Sequence, residues 1–260
     1  MATTPQKTPF LSIIILNYHT DEMTLGLVKK MDSGDDMEVI LVDNSSSKDL
    51  EEKTKELKHT KYINPGNNLG FAGGVNVGIQ KSIGEWIFLL NSDANTEIAA
   101  IKSLIQKCAE KRAKVAAPRL VGHDGTIEKN GGVFPSFFEN PIDYLFLRPK
   151  YILPEIDSLV HSATGGALLI HKSVFEKVGV LDDKNFFMYF EDVDYSLRLH
   201  NVGIDILYVP TCVVAHKGGG SADKNPAQKK QSYFTSLDNY LSKHRGPLFL
   251  WLNNLFHFLR

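Results

Sequence analysis

Asn91-Ser92-Asp93 closes the apolar run from Glu85 to Leu90, and Glu191-Asp192-Val193-Asp194 follows the bulky stretch Phe186 to Phe190. An aspartate at a strand end offers a hard oxygen ligand suited to Mg²⁺ or Mn²⁺ on a diphosphate. Asp93 is not needed to cap the next helix, because Asn95 or Thr96 can do so. The second cluster sets a carboxylate beside a dry aromatic wall, which suits a general base. Acids at a helix start are also favoured by the helix macrodipole alone, with no catalytic role. Val193 and Leu197, at i and i+4, mark that helix's buried stripe and predict that the acids turn outward.

Between the two clusters' roles stands a third group, Asn64 to Gly78, where glycines and asparagines alternate. Glycine lets backbone approach a ligand closely, and a helix opening near Phe71 would aim free N–H groups at phosphate. Tight helix packing explains the glycines equally well; the interleaved Asn67, Asn68 and Asn76 favour a ligand. His216 precedes Lys217-Gly218-Gly219-Gly220-Ser221, a loop able to fold over phosphates. A histidine alone is as often structural as ligating; the adjoining glycines favour the ligand role.

These residues need a scaffold that gathers them. Leu11 to Leu16, Glu38 to Val42, Lys61 to Ile63, Trp86 to Leu90 and Lys114 to Ala117 read as buried strands. Helical stretches alternate with them at Met23 to Met31, Asp49 to Leu57, Ala72 to Ser82 and Glu97 to Lys111, which predicts a mostly parallel α/β sheet. Right-handed crossovers then bring Asn17, Asp43, Asn64 and Asn91 to Asp93 to one sheet edge. From Gly122 to Pro154 glycine, proline and aromatics break the pattern, with a hairpin turn predicted at Asp124-Gly125. A strand over Ser162 to Ile170, a helix near Lys172 to Val178 and a strand over Asp205 to Val209 complete the series. A dinucleotide fold is excluded, because its fingerprint belongs in the first strand-to-helix turn, and Asn17 to Asp21 contains no glycine.

Lysine plus arginine (29) nearly cancel aspartate plus glutamate (30), which argues against a broad basic field for nucleic acid. With 260 residues and 43% hydrophobic content the chain can bury one large core. Cys108 and Cys212 fit no metal spacing, so a reducing, cytoplasmic setting is expected. Met1 to Pro9 lacks the apolar stretch of a signal peptide, and no segment approaches the ~20 apolar residues of a membrane span.

The stretches Ser12 to Tyr18, Val42 to Ser46, Asn67 to Asn76, Leu90 to Asp93, Thr164 to Ala167, Phe187 to Arg198, and His216 with Ser221 resemble, in this order, the family 2 inverting glycosyltransferases of GT-A fold, rhamnosyltransferase-like branch. The likeness runs over about residues 10 to 245. It implies that Asn17, Asp43, Asn67, Asn68, Gly70, Phe71, Asn76, Asn91, Ser92, Gly165 and Gly166 belong to the nucleotide-sugar site. Asp93, with His216, would hold Mg²⁺ or Mn²⁺; Asp192 would deprotonate the acceptor, with Glu191 as the alternative base. The family's aspartate-x-aspartate motif begins here with Asn91, leaving one carboxylate. The donor implied is a dTDP- or UDP-linked sugar, dTDP-rhamnose foremost, and the acceptor a glycan or lipid-linked hydroxyl in surface polysaccharide synthesis. A nucleotidyltransferase would need a basic residue in the first loop, which has none. A catalytically degenerate, glycan- or partner-binding module is the other alternative.

The expected division is a GT-A domain over residues 1–226, its nucleotide-binding half at about 10–120 and its acceptor half at about 121–226, and a helical tail over 227–260. Ser232 to Arg245 reads as an amphipathic helix broken at Gly246-Pro247. Leu248 to Arg260, apolar and aromatic beside basic residues, fits a helix lying on the inner face of a membrane, packing on the core, or contacting a second copy in a homodimer.

Overall fold

The computed structural model describes residues 10–134, 136, 142, 143, 146, 148–217 and 226–247. Met1 to Pro9, the glycine loop Gly218 to Ser221 and the tail Leu248 to Arg260 lie outside the described residues.

In chain order the elements are β1 (Leu11–Asn17), α1 (Asp21–Met31), β2 (Met37–Asp43), α2 (Lys48–Thr54), β3 (Thr60–Ile63), α3 (Gly70–Lys81), β4 (Trp86–Asn91) and β5 (Ala94–Asn95). Then come α4 (Ile98–Lys111), β6 (Val115–Gly122), β7 (Gly131–Val133), β8 (Lys150–Ile152), β9 (Ser158–Val160), β10 (Ala167–His171), α5 (Ser173–Val178), α6 (Glu191–Asn201), β11 (Ile206–His216) and α7 (Pro226–Arg245). The main sheet runs β3-β2-β1-β4-β10-β6-β11-β5, with β9 also on β11, while β7 and β8 form a separate pair.

Side chains alternate across this sheet and separate two cores. Ile13, Ile15, Val39, Leu41, Phe88 and Leu90 face α1 and α4 through Leu27, Val28, Met31, Ile101, Leu104 and Ile105. Ile14, Ile40, Val42, Ile87 and Leu89 face α3, α5 and α6 through Ala72, Val75, Ile79, Val174, Tyr195 and Leu199. Burial on both faces is why these strands read as continuous apolar runs.

β1 to β4 are mutually parallel, but β10 runs antiparallel between β4 and β6. Composition gives a strand no direction, so the sequence pattern could not distinguish this. The reversal matters: it carries Gly165-Gly166, just ahead of β10, to the C-terminal end of β4, where the Asn91 N–H donates to the Gly166 carbonyl at 3.0 Å.

Two further pairings converge on the same edge. β5 runs antiparallel to β11, with Ala94 opposite His216, which brings Asp93 beside that histidine. β6 runs parallel to β11, with Gly122 opposite His216, and then reverses through a turn at Asp124-Gly125. Gly125 adopts φ +81°, the Asp124 carboxylate accepts the Thr126 N–H, and a Val121–Ile127 bridge closes the hairpin that the sequence predicts.

α7 lies against α6. Leu237, Tyr240 and Leu241 bury one face of it on Phe186 and Leu197.

Candidate active site

A cavity of about 660 Å³ opens at the C-terminal edge of β1 and β4. On one side it is lined by Leu16, Tyr18, Asn44, Asn68, Gly70, Phe71, Asn91, Ser92, Asp93 and His216. Gly165, Gly166, Glu191 and Asp192 stand between that side and a wall of Arg148, Tyr151, Phe187 to Phe190, Tyr233 and Tyr240.

Gly70 shows why the glycine loop is built as it is. It has φ +72°, and a Cβ there would fall 2.1 Å from the Phe187 carbonyl oxygen. The neighbouring Phe71 N–H donates to that same oxygen at 2.8 Å, so the start of α3 is stitched to the aromatic wall. Asn68 accepts the Gly70 N–H and Asn44 donates to the Gly70 carbonyl, each at 2.9 Å. Asn44 is a cavity residue that sequence reasoning left out of the site, although it lies directly after the β2 aspartate in the Val42 to Ser46 stretch that carries the resemblance.

Asp192 sits in the first turn of α6. Its carboxylate accepts the Val193 N–H at 2.8 Å and the Gly165 N–H at 3.3 Å. Burial pushes its pKa up, and those hydrogen bonds, with one from Thr164, oppose the shift without cancelling it. Glu191 is 6% exposed; burial, then the adjacent Asp192 charge, raises its pKa as well. Its Oε2 has no hydrogen-bond partner. Tyr189 and Phe190 just before the helix hold φ +72° and +65°, a region costly for aromatic residues. That double left-handed step aims the start of α6 at the cavity.

The expectation that the acids turn outward is corrected: Glu191 and Asp194 are buried. Asp194 is fully enclosed because α7 covers it with countercharge. It accepts from Arg198 Nε at 2.8 Å, Lys243 Nζ at 2.6 Å and His244 Nε2 at 2.7 Å. Burial alone would raise its pKa, but these bonds, His244 and Lys243 foremost, hold it below the ordinary value.

Across the cavity, Asp93 Oδ1 lies 3.3 Å from His216 Nε2, and the two Glu128 oxygens lie 3.0 and 3.1 Å from His216 Nδ1. Hydrogen bonding to Asp93, then its charge and that of Glu128, pushes the imidazole pKa up to about 9 against the effect of burial. Carboxylates facing both ring nitrogens favour positive charge here, and Asp93 Oδ1 and His216 Nε2 are one oxygen and one nitrogen that could hold a divalent ion. Glu128 was not singled out in the sequence; it lies in the stretch where regular periodicity fails. Among the described residues the grouping of three whose metal-capable atoms converge lies elsewhere, at His161, His200 and Asp205. There His161 Nδ1 accepts the Phe134 N–H, so in the neutral ring the proton sits on Nε2 and blocks that ligand atom.

Four predicted residues lie off the cavity wall. Asn17 is buried and bonded to Asp21, Asp43 and Ser45. Asp43 accepts from Asn17, Ser45, Tyr62 and the Ser47 N–H; burial would raise its pKa, yet those bonds take it below the ordinary value. Asn76 spends both amide atoms on the Leu181 backbone. Asn67 is exposed beside the cavity rim residue Asn68.

A mostly parallel sheet with one ligand edge, a strand-end aspartate and a carboxylate helix facing it agree with the GT-A fold of the glycosyltransferases. The description "Glycosyl transferase family 2" matches residues 12–179, and the chain belongs to that family. It is 30% identical over 206 residues to the "Low-salt glycan biosynthesis hexosyltransferase Agl10" of Haloferax volcanii, covering 75% of this chain and 63% of that protein. It is 25% identical over 241 residues to the "N-acetylglucosaminyl-diphospho-decaprenol L-rhamnosyltransferase" of Mycobacterium tuberculosis, covering 81% of this chain and 78% of that one. The "dTDP-rhamnosyl transferase RfbF" of Shigella flexneri shares 27% identity over 198 residues, covering 72% of this chain and 62% of it. The fold matches a solved structure of GalNAc-T7 with UDP, GalNAc and Mn²⁺ at TM-score 0.66 and 18% identity, over 89% of this chain and 47% of that one.

Proposed function

We propose that this chain is a metal-dependent inverting glycosyltransferase that moves L-rhamnose from dTDP-rhamnose to a hydroxyl of a lipid-linked glycan acceptor. The observation that carries the proposal is the division of one cavity: Asp93 and His216 on one side, the half-buried carboxylate of Asp192 on the other. Relatives described as rhamnosyl transferases, one acting on a diphospho-decaprenol acceptor, support the choice of donor and acceptor. Such an acceptor places the work at the cytoplasmic face of a membrane, although no helix among the described residues is long and apolar enough to cross one.

In this reading Asn44 and Asn68, which fix the opening of α3 at the cavity, face the nucleotide, and Asp93 with His216 holds the ion. A bound Mg²⁺ or Mn²⁺ would stabilise charge on the departing nucleotide diphosphate. Asp192 Oδ2 takes the proton of the acceptor hydroxyl as that oxygen forms its bond to the anomeric carbon and the bond from that carbon to the diphosphate oxygen breaks. A single displacement inverts the configuration. Tyr151, Tyr233 and the Phe187 to Phe190 stretch give the acceptor sugar an aromatic face.

A ligand that binds only the folded state raises its apparent stability. In a thermal-shift panel of nucleotide sugars with Mn²⁺, dTDP-rhamnose is expected to give the largest rise in Tm, and EDTA to remove most of it. A panel in which no nucleotide sugar moves the Tm contradicts the proposal.

A further inference from the structure

His216 is held at both ring nitrogens by different elements. Nε2 faces Asp93, delivered by the β5–β11 pairing, and Nδ1 faces both oxygens of Glu128 at 3.0 and 3.1 Å. Glu128 reaches that position because the Asp124-Gly125 hairpin folds back over β6, where the Glu128 N–H donates to the Leu120 carbonyl at 3.0 Å. The Asp93 and His216 side chains are only 10% and 18% exposed, and Glu128, at 32%, closes the line on its outer side.

An exposed His–Glu pair on a surface loop would contribute little and could be lost without consequence. Two features argue against that view. Glu128 engages the nitrogen facing away from Asp93, so it is not a third ligand for an ion lying between Asp93 and Nε2. It is positioned instead as the outer partner of the histidine: a carboxylate accepting Nδ1–H fixes the tautomer in which the Nε2 lone pair is free to ligate, and makes that nitrogen more basic. The second feature concerns the missing carboxylate. Asn91 stands where the resemblance leads one to expect an aspartate, so the inner set supplies one negative charge through Asp93, and Glu128 restores a second one step further out.

We propose that Glu128 is a positioning residue that orients His216 as an Nε2 ligand and sets the affinity of the site for a divalent cation. This rests on the reading of Asp93 and His216 as the donor-side metal site.

The test titrates Mn²⁺ alone into the full chain and follows the free ion by EPR, comparing wild type with Glu128→Gln and Glu128→Ala. Outer carboxylates of this kind are worth roughly 10–100-fold in metal affinity. Glu128→Ala is expected to weaken Mn²⁺ binding by about that factor, and Glu128→Gln, whose amide oxygen still accepts Nδ1–H, by less. Circular dichroism and Tm identify any variant that fails to fold, and the near-isosteric glutamine keeps the comparison usable. Pulsed EPR of wild type supplies a second readout, a ¹⁴N coupling on Mn²⁺ that His216→Gln abolishes. A Glu128→Ala affinity within threefold of wild type overturns the role of Glu128 and leaves the metal site standing. Wild type without the ¹⁴N coupling overturns both.

Discussion

Burial and hydrogen bonding oppose each other at Asp192, and burial prevails. A base with a raised pKa is a better proton acceptor once ionised, but it must be ionised first. The acid limb of kcat/KM for the acceptor is therefore expected above the ordinary aspartate value of about 3.9. A limb at or below that value in a pH–rate profile contradicts the assignment. Stability carries the same signature. The folded chain holds this proton more tightly than the unfolded chain, so the contribution is complete below the unfolded pKa and disappears as pH rises through the raised one. Asp192→Asn removes the cost of ionising a half-buried group whose surroundings disfavour its charge. Its Tm should exceed that of wild type at about pH 7.5 and converge with it near pH 4, as followed by calorimetry.

Elements decide which of the sequence signals become site residues. Asn76 carries the same chemistry as Asn68, yet on α3 it falls on the face packed against the Leu181 turn, and both its amide atoms are used there. Asn76→Ala should cost about 2–4 kcal/mol in denaturant unfolding, for two lost bonds and backbone groups left unpaired, while donor KM stays unchanged. A large donor KM effect with full stability would restore Asn76 to the nucleotide site. Gly70→Ala should be worse for both, because its Cβ has no room beside the Phe187 carbonyl. The strands and helices were legible because buried strands and amphipathic helices write their periods into sequence. What escaped was set by long-range pairing: the antiparallel direction of β10, the delivery of Glu128 by a hairpin, and the left-handed step at Tyr189-Phe190, which no residue type announces.

At the scale of the whole molecule, α7 is part of the cavity. Tyr233, Leu237 and Tyr240 line it, while Lys243 and His244 clamp Asp194 two residues beyond Asp192. The sequence showed an amphipathic helix here but not the surface it covers, because its partner, Asp194, had been read as facing water. Asp194→Asn takes the charge from the buried acceptor shared by Arg198, Lys243 and His244, whose own side chains keep contact with solvent, a change expected to cost about 1–3 kcal/mol. Hydrogen exchange should quicken across residues 226–245 in that variant; unchanged protection there would mean that apolar packing alone holds the helix. The account as a whole rests on a division of labour across one cavity. The direct measurement pairs donor binding with single-turnover transfer in Asp192→Asn and Asp93→Ala. Asp192→Asn should bind donor as wild type does and transfer about 10²–10⁴ times more slowly, whereas Asp93→Ala should lose the Mn²⁺-dependent part of donor binding. Transfer at the wild-type rate by Asp192→Asn would contradict the account.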